Sequence, residues 1–279
     1  MPERRRLQSA RAWFTSNGVH TLPESMLAQA LMDYRRDGFA RLGILATSAE
    51  LVAMRARAEA LMLGTVRYEG MFFQKDTTSG RYEDLTYGQG YEGATYNYRK
   101  IEKLELDPIY RDWIAHPTFR LLTRLAIGED ISVYRALMFN KSAETGGSEL
   151  PWHQDGGKFW GLDREPELQV WTALDDAPEQ AGCVEVVPGT HLRGLASPLG
   201  GVIQAPYLDN ELATTQALKL PAKAGEVLLL HNHLWHRSGR NFTGNPRRGF
   251  TICYMDGATR CLRKKRAPRA FFRPWPVAR

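Results

Sequence analysis

Residues 150–157 read Leu-Pro-Trp-His-Gln-Asp-Gly-Gly and place an imidazole close to a carboxylate in the sequence. His153 and Asp155 are two positions apart, so an extended strand would present both side chains on one face. An imidazole and a carboxylate on one face can bind one metal ion. The two glycines that follow favour a break in the strand. We therefore predict a strand that ends at a metal site on the rim of a sheet.

A third metal ligand is expected from residues 230–241, which contain His231, His233 and His236. His231 and His233 would share one face of an extended chain, so spacing alone leaves the choice among the three histidines open. Two histidines and one carboxylate, with the other coordination positions free, form the ligand set of non-haem Fe(II) oxygenases.

The motifs that follow residues 150–157 resemble the phytanoyl-CoA dioxygenase family of iron- and 2-oxoglutarate-dependent oxygenases. They are residues 180–191, the run His236-x-Ser238-x-x-Asn241, and Arg247. The resemblance covers roughly residues 25–256, and four motifs in order are more specific than any one of them. It implies a mainly β fold with flanking helices and a double-stranded β-helix (jelly-roll, cupin-like) core. It also implies Fe(II), the cosubstrate 2-oxoglutarate and O2.

The same resemblance assigns roles to individual residues. His236 becomes the third metal ligand, with His233 as the fallback. Arg247 becomes the anchor of the far carboxylate of 2-oxoglutarate, because a guanidinium binds a carboxylate through two hydrogen bonds. The adjacent Arg248 would face the other way on a strand and is the alternative. Further residues implied at the cosubstrate are Ser238, Trp171, Gln154, Met138 and Lys100.

The hydrophobic pattern predicts helices in the first half of the chain and strands in the second. Predicted helices cover residues 23–36, 47–63 and 109–125; predicted strands cover residues 39–42, 131–139, 168–174, 184–187, 227–231 and 250–255. Many strands punctuated by turns and preceded by helices are typical of an antiparallel barrel or sandwich supported by helices.

Composition indicates a globular protein, with 43% hydrophobic and 24% charged residues among 279. No apolar run reaches the roughly 18 residues of a membrane span, and no signal peptide is evident, so we expect a cytoplasmic protein. Residues 260–279 carry eight positive charges and no acid, although the whole chain is only at +6. We therefore predict an N-terminal arm (1–22), one oxygenase domain (23–259) and a solvated basic extension (260–279), with no nucleic-acid partner.

The predicted function is the oxidation, chiefly the hydroxylation, of a small-molecule metabolite or natural-product intermediate. The presence of the Asp155 carboxylate favours hydroxylation, since halogenating relatives have a small residue there. Glycines and tyrosines alternate in residues 74–98, which form either a lid over the substrate or a surface loop. Phe159 and Trp160 are further candidates for substrate contact. The alternatives are an acyl-CoA hydroxylase and a catalytically silent relative that only binds its ligand.

Overall fold

The computed structural model describes residues 21–212, 216–263 and 270–275. Within these ranges the strands are β1 (Phe39–Ile44), β2 (Phe72–Lys75), β3 (Tyr98–Glu102), β4 (Ile131–Lys141), β5 (Leu150–Gln154), β6 (Leu168–Ala173), β7 (Val184–Val187), β8 (Gly201–Val202), β9 (Leu218–Leu220), β10 (Glu226–His231), β11 (Trp235–Ser238) and β12 (Arg247–Asp256). The helices are α1 (Glu24–Asp37), α2 (Ser48–Leu63), α3 (Pro108–Ile114), α4 (Pro117–Ala126) and α5 (Ala205–Leu212).

The strands form two antiparallel sheets. The larger sheet has the order β1-β10-β6-β12-β4-β3-β2, and the smaller has the order β8-β5-β11-β7-β9. Leu228 of β10 and Trp171 of β6 pack against Val184 and Val186 of β7, so the two sheets face each other. This architecture confirms the predicted jelly-roll core.

Helices cover the outer face of the larger sheet. The main hydrophobic cluster joins Met54 of α2 and Phe119 of α4 to Met138 of β4 and Phe250 of β12. Helix α2 begins with a capping box, in which the Thr47 hydroxyl accepts from the Glu50 backbone N–H and the Glu50 carboxylate accepts from Thr47. The helices thereby hold the outer face of β4 and β12. The odd-numbered residues from Arg135 to Lys141 of β4 and from Arg247 to Thr251 of β12 face inward. Ile131 and Val133 lie beyond an irregularity in the pairing and pack in the main cluster.

Most predicted elements are present, with boundaries that shift by a few residues. The predicted helical region over residues 109–125 is two helices, α3 and α4, and the second begins at Pro117, which was predicted for the first turn of a helix over residues 118–125. Strands β2, β3, β8, β9 and β11 and helix α5 were not predicted. Among the described residues, no helix has both the length and the apolar character needed to cross a membrane.

The described part of the C-terminal extension contacts the domain, whereas a solvated segment was predicted. Phe272 pairs with Val133 of β4, and Trp275 stacks on Tyr254 of β12 with ring centroids 5.9 Å apart. The Trp275 indole N–H donates to the Ala115 carbonyl at 3.2 Å. Residues 270–275 therefore pack against the domain. Residues 1–20 of the predicted arm and most of the basic cluster lie outside the described residues.

Candidate active site

The pairing of β5 with β11 brings the predicted metal ligands together. His153 of β5 lies opposite His236 of β11, and their ring centroids are 4.0 Å apart. Asp155 follows one residue after the end of β5. One ligand atom from each of His153, Asp155 and His236 lies within 4.8 Å of the other two. These three residues form the group of potential metal ligands in the described part of the chain.

Backbone and amide contacts fix the orientation of each of these side chains. His153 Nδ1 lies 2.9 Å from the Pro151 carbonyl, and His236 Nδ1 lies 2.8 Å from the Leu234 carbonyl. A carbonyl can only accept a hydrogen bond, so each Nδ1 carries the proton and each Nε2 keeps a free lone pair. Asp155 Oδ2 accepts from the Gln169 amide at 2.7 Å, which leaves Oδ1 available for a metal.

Electrostatics favour the metal-binding protonation states. Burial and the neighbouring His236 lower the pKa of His153 to about 3. Burial raises the pKa of Asp155, but His236, His153 and Arg135 outweigh it, and the net shift is downward. At neutral pH His153 is therefore neutral and Asp155 ionised, the states in which both side chains bind metals.

A cavity that is partly open to solvent lies beside these ligands, and its empty space of about 760 Å³ includes this open part. Both sheets line the cavity, the larger through β3, β4, β6, β10 and β12 and the smaller through β5, β7 and β11. The lining residues include His153, Asp155, Gln169, Trp171, His236, Ser238, Arg99, Arg135, Lys141 and Arg247.

Arg247 points into this cavity, whereas Arg248 points away from it. Arg247 is 2% exposed, and its Nε and Nη2 have no hydrogen-bond partner among the described residues. Burial lowers its pKa to about 10, so it stays charged at neutral pH. Arg248 instead donates to both carboxylate oxygens of Asp175, at 2.7 and 2.9 Å, and to Glu59 at 3.2 Å. Between these neighbours, the geometry therefore favours Arg247 as the anion anchor.

Comparison with known proteins decides the family. A model of the family described as phytanoyl-CoA dioxygenase (PhyH) matches residues 34–249, which is most of the chain. The chain belongs to this family. The predicted family is thereby confirmed, and the predicted class, the iron- and 2-oxoglutarate-dependent oxygenases, is the class of this family.

Curated relatives also support the family assignment, although they match a smaller part of the chain than the family model does. "Phytanoyl-CoA dioxygenase domain-containing protein 1" of Mus musculus is 27% identical over 162 residues, which is 54% of each chain. The chain thus spans about half the length of the first curated relatives that it matches.

Solved structures share the fold. The epimerase SnoN in complex with Fe3+, alpha ketoglutarate and nogalamycin RO has a TM-score of 0.64 at 20% identity, covering 86% of this chain and 87% of SnoN. EctD from S. alaskensis, solved with 2-oxoglutarate and 5-hydroxyectoine, has a TM-score of 0.66 at 18% identity, covering 93% of this chain and 88% of EctD.

The other cosubstrate residues implied by the family divide into two groups. Ser238 and Trp171 line the cavity, and the Trp171 ring centroid lies 5.2 Å from the Arg247 guanidinium carbon. Met138, Gln154 and Lys100 do not line it. Met138 lies on the helix-facing side of β4 in the main core, because side chains alternate along a strand.

Gln154 and Lys100 have other partners. The Gln154 amide donates to the Gly194 and His233 carbonyls at 2.8 and 2.7 Å, so it joins two loops behind β5. The Lys100 ammonium is 2.7 Å from the Glu102 carboxylate. Its neighbour Arg99 lines the cavity instead and is 7% exposed. The family resemblance therefore pointed one position away from the cation that reaches the cavity.

The remaining histidines predicted as possible ligands form a separate cluster. The His231 ring lies 4.9 Å from the His191 ring and 5.4 Å from the His233 ring, between centroids. Burial, His191 and His233 lower the pKa of His231 to about 3. His231 Nδ1 accepts from the His233 backbone N–H at 3.0 Å. Neither His231 nor His233 belongs to the group of potential metal ligands.

The tyrosine-rich segment 74–98 is partly core and partly surface. Tyr91 and Tyr98 pack on Phe73, with ring centroids 5.7 and 5.0 Å away. Tyr87 is 80% exposed, and the Tyr82 ring centroid lies 5.7 Å from the guanidinium of Arg99. The segment thus touches the cavity wall through Arg99, and its role as a lid stays a prediction.

Phe159 and Trp160 lie in different environments. Phe159 is 68% exposed, whereas Trp160 is 4% exposed and stacks on Tyr134 with ring centroids 4.3 Å apart. Neither lines the cavity directly. Trp160 contacts it through Arg135, whose guanidinium carbon lies 4.9 Å from the Trp160 ring centroid.

Proposed function

We propose that this chain is an Fe(II)- and 2-oxoglutarate-dependent dioxygenase that oxidises a small molecule. The observation that carries the proposal is one cavity that contains both the His153, Asp155 and His236 group and the unpartnered Arg247 guanidinium. The two histidines and Asp155 fit a divalent transition metal with open coordination positions. The Arg247 guanidinium fits the carboxylate of a ligand, since no described side chain neutralises its charge.

The chain's own residues prepare the site for these groups. His153 and His236 present Nε2 because their Nδ1 atoms are held by backbone carbonyls, and Gln169 holds the third ligand, Asp155. Arg247 binds the far carboxylate of the cosubstrate, and Ser238 is placed to donate its hydroxyl nearby. Bound Fe(II) and 2-oxoglutarate would supply the oxidation of a substrate C–H bond by O2, with succinate and CO2 as the coproducts.

The substrate that we propose is a metabolite or natural-product intermediate. The cavity between the two sheets has both apolar and charged side chains in its lining, which is typical of small-molecule sites. SnoN, which shares the fold, was solved with nogalamycin RO, and EctD with 5-hydroxyectoine. The alternative, an acyl-CoA hydroxylase, is favoured by the names of curated relatives. The presence of the full ligand set speaks against a catalytically silent binding protein.

Succinate release is the test of this function. Purified protein with Fe(II), 2-oxoglutarate and O2 is incubated with a library of metabolites and acyl-CoA thioesters, and succinate is quantified. We expect release that requires both iron and 2-oxoglutarate and that rises with at least one library member. Release that persists without iron, or no release above background with any compound, would contradict the proposal.

The close packing of Gly249 against Trp171 gives a second test. A Cβ at Gly249 would lie 2.5 Å from Trp171 Nε1, so Gly249→Ala should displace the indole beside Arg247. We expect a stability loss of about 1–3 kcal/mol and roughly tenfold weaker 2-oxoglutarate binding by titration calorimetry. Gly90→Ala is the matched control, because a Cβ there meets nothing within 4 Å. Unchanged affinity in Gly249→Ala would argue against a cosubstrate beside Trp171.

A further inference from the structure

The cavity carries more positive charge than the proposed cosubstrate balances. Its lining contains the cations Arg99, Arg135, Lys141, Arg237 and Arg247, and one carboxylate, Asp155. The protein itself accounts for the charge of two of these cations, Lys141 and Arg237. Burial, with nearby Arg247 and Arg99, lowers the pKa of Lys141 well below its usual value. The Arg237 guanidinium is paired with Glu185 at 2.8 Å.

The proposed function accounts for one more arginine. Fe(II) with Asp155, and the two carboxylates of 2-oxoglutarate with Arg247, sum to no net charge. Arg99 and Arg135 remain without a carboxylate partner among the lining residues. Burying an unpaired guanidinium is costly, so a cavity that keeps one is expected to receive an anion.

Arg135 lies near the Asp155 carboxylate, and its position along the sheet is far from that of Arg247. On β4 it pairs with Cys253 of β12, which in turn pairs with Gln169 of β6. Gln169 is the residue that donates to Asp155. Arg135 therefore lies level with Gln169 across the strands of the larger sheet, and Gln169 contacts the proposed metal ligand Asp155. Arg247 is six positions before Cys253 on β12, roughly 20 Å along the strand at 3.3 Å per residue.

The surroundings of Arg135 orient its guanidinium and leave part of it free. The guanidinium carbon lies 4.9 Å from the Trp160 ring centroid and 5.2 Å from that of Tyr134. Its Nε is buried and has no hydrogen-bond partner among the described residues. Burial lowers the pKa of Arg135, but Glu102, Tyr134 and Asp155 outweigh it, so the group is charged. Glu102 already pairs with Lys100 at 2.7 Å.

We propose that the substrate carries an oxyanion, a carboxylate or a phosphate, and that Arg135 binds it on the side of the metal site opposite 2-oxoglutarate. This inference rests on the proposed function. The planar guanidinium lies beside the stacked rings of Tyr134 and Trp160 and matches the two oxygens of such a group. Arg135 thereby sets which end of the substrate faces away from the metal, and Arg99 adds positive charge to the same cavity.

The test compares two anionic probes with one neutral amide, which has nearly the same shape as the carboxylate probe. Iron-loaded protein, kept without oxygen and saturated with 2-oxoglutarate, is titrated calorimetrically with 3-phenylpropanoate, 3-phenylpropanamide and phenyl phosphate. The titrations use wild type, Arg135→Gln, Arg135→Lys and Arg164→Gln. Arg164 is the matched control, because it is half-exposed and pairs with Asp256 at 3.0 Å. Iron and 2-oxoglutarate affinities are measured for each variant.

We expect at least one of the two anions to bind wild type roughly 10- to 100-fold more tightly than the amide. Whichever anion binds identifies the group as carboxylate or phosphate. Arg135→Gln should remove this preference, Arg135→Lys should keep part of it, and Arg164→Gln should keep all of it. Iron and 2-oxoglutarate binding should stay within a fewfold of wild type in every variant.

Three outcomes would overturn the inference. In the first, the amide binds as well as the acids, or no probe binds at millimolar concentration. In the second, Arg135→Gln keeps the preference for the acid. In the third, Arg135→Gln loses iron, which would make Arg135 a positioning residue for Asp155. Failure of 2-oxoglutarate itself to bind wild type would instead count against the proposed function.

Discussion

Replacing Arg247 with leucine is expected to weaken 2-oxoglutarate binding by roughly 30-fold to several thousand-fold. The side chain is 2% exposed and has unpartnered N–H groups. Leucine would leave the far carboxylate of the cosubstrate in a poorly solvated cavity without its partner. Losing one member of such a pair costs about 2–5 kcal/mol, and about 1.4 kcal/mol corresponds to a factor of ten. Iron binding should survive, since Arg247 is not a metal ligand.

The adjacent arginine provides the control. Arg248→Leu removes the same charge one position away, but that guanidinium is bound to Asp175 on the other face of β12. We expect it to lower stability and leave 2-oxoglutarate affinity within a fewfold of wild type. Titration of the iron-loaded variants makes the comparison. If Arg248→Leu loses affinity and Arg247→Leu does not, the anchor is Arg248. If neither loses affinity, 2-oxoglutarate does not bind as proposed.

Replacing Asp155 with alanine is expected to weaken iron binding at least 100-fold and to abolish hydroxylation. Changing a residue that only supports a metal ligand costs roughly 10- to 100-fold in affinity, and Asp155 is itself a proposed ligand. The measurement is iron titration followed by succinate and product analysis in halide-free buffer, since a halide can occupy the space left by the carboxylate. Asp256→Ala, at an exposed carboxylate, is the control and should bind iron normally.

Wild-type turnover in Asp155→Ala would remove Asp155 from the metal site. An equal loss of iron from Asp256→Ala would show that general charge, rather than ligation, governs the affinity. The alanine variant should also keep the fold, because the pairing of β5 with β11 is carried by the backbone and not by this side chain.

The metal pair could be predicted from the sequence because it depends on local geometry. His153 and Asp155 are two positions apart, and any extended chain would place them on one face. Alternation along a strand indicates only that Arg247 and Arg248 face opposite sides. The choice of Arg247 came from the family resemblance, and the predicted strand began only at residue 250. The same alternation along β4 offered a signal that was not used, since Arg135 and Lys141 share the inward face with Leu137 and Phe139.

Spacing alone could not predict residues whose position depends on contacts between distant segments. His236 joins His153 because β11 pairs with β5, so its choice over His231 and His233 required the family resemblance. Lys100 and Arg99 differ by one position in β3, next to an irregularity where β2 pairs with it. A one-residue shift in register changes which side chain reaches the cavity, so the family alignment could not choose between them.

Metal-dependent binding of 2-oxoglutarate tests the central claim most directly. Wild-type protein is stripped of metal, divided, and titrated anaerobically with 2-oxoglutarate with and without Fe(II). Because iron and Arg247 are proposed to hold opposite ends of one molecule, we predict one binding site per chain whose affinity falls at least tenfold without iron. Equal affinity with and without iron, or no binding in either case, would contradict a shared site for His153, Asp155, His236 and Arg247.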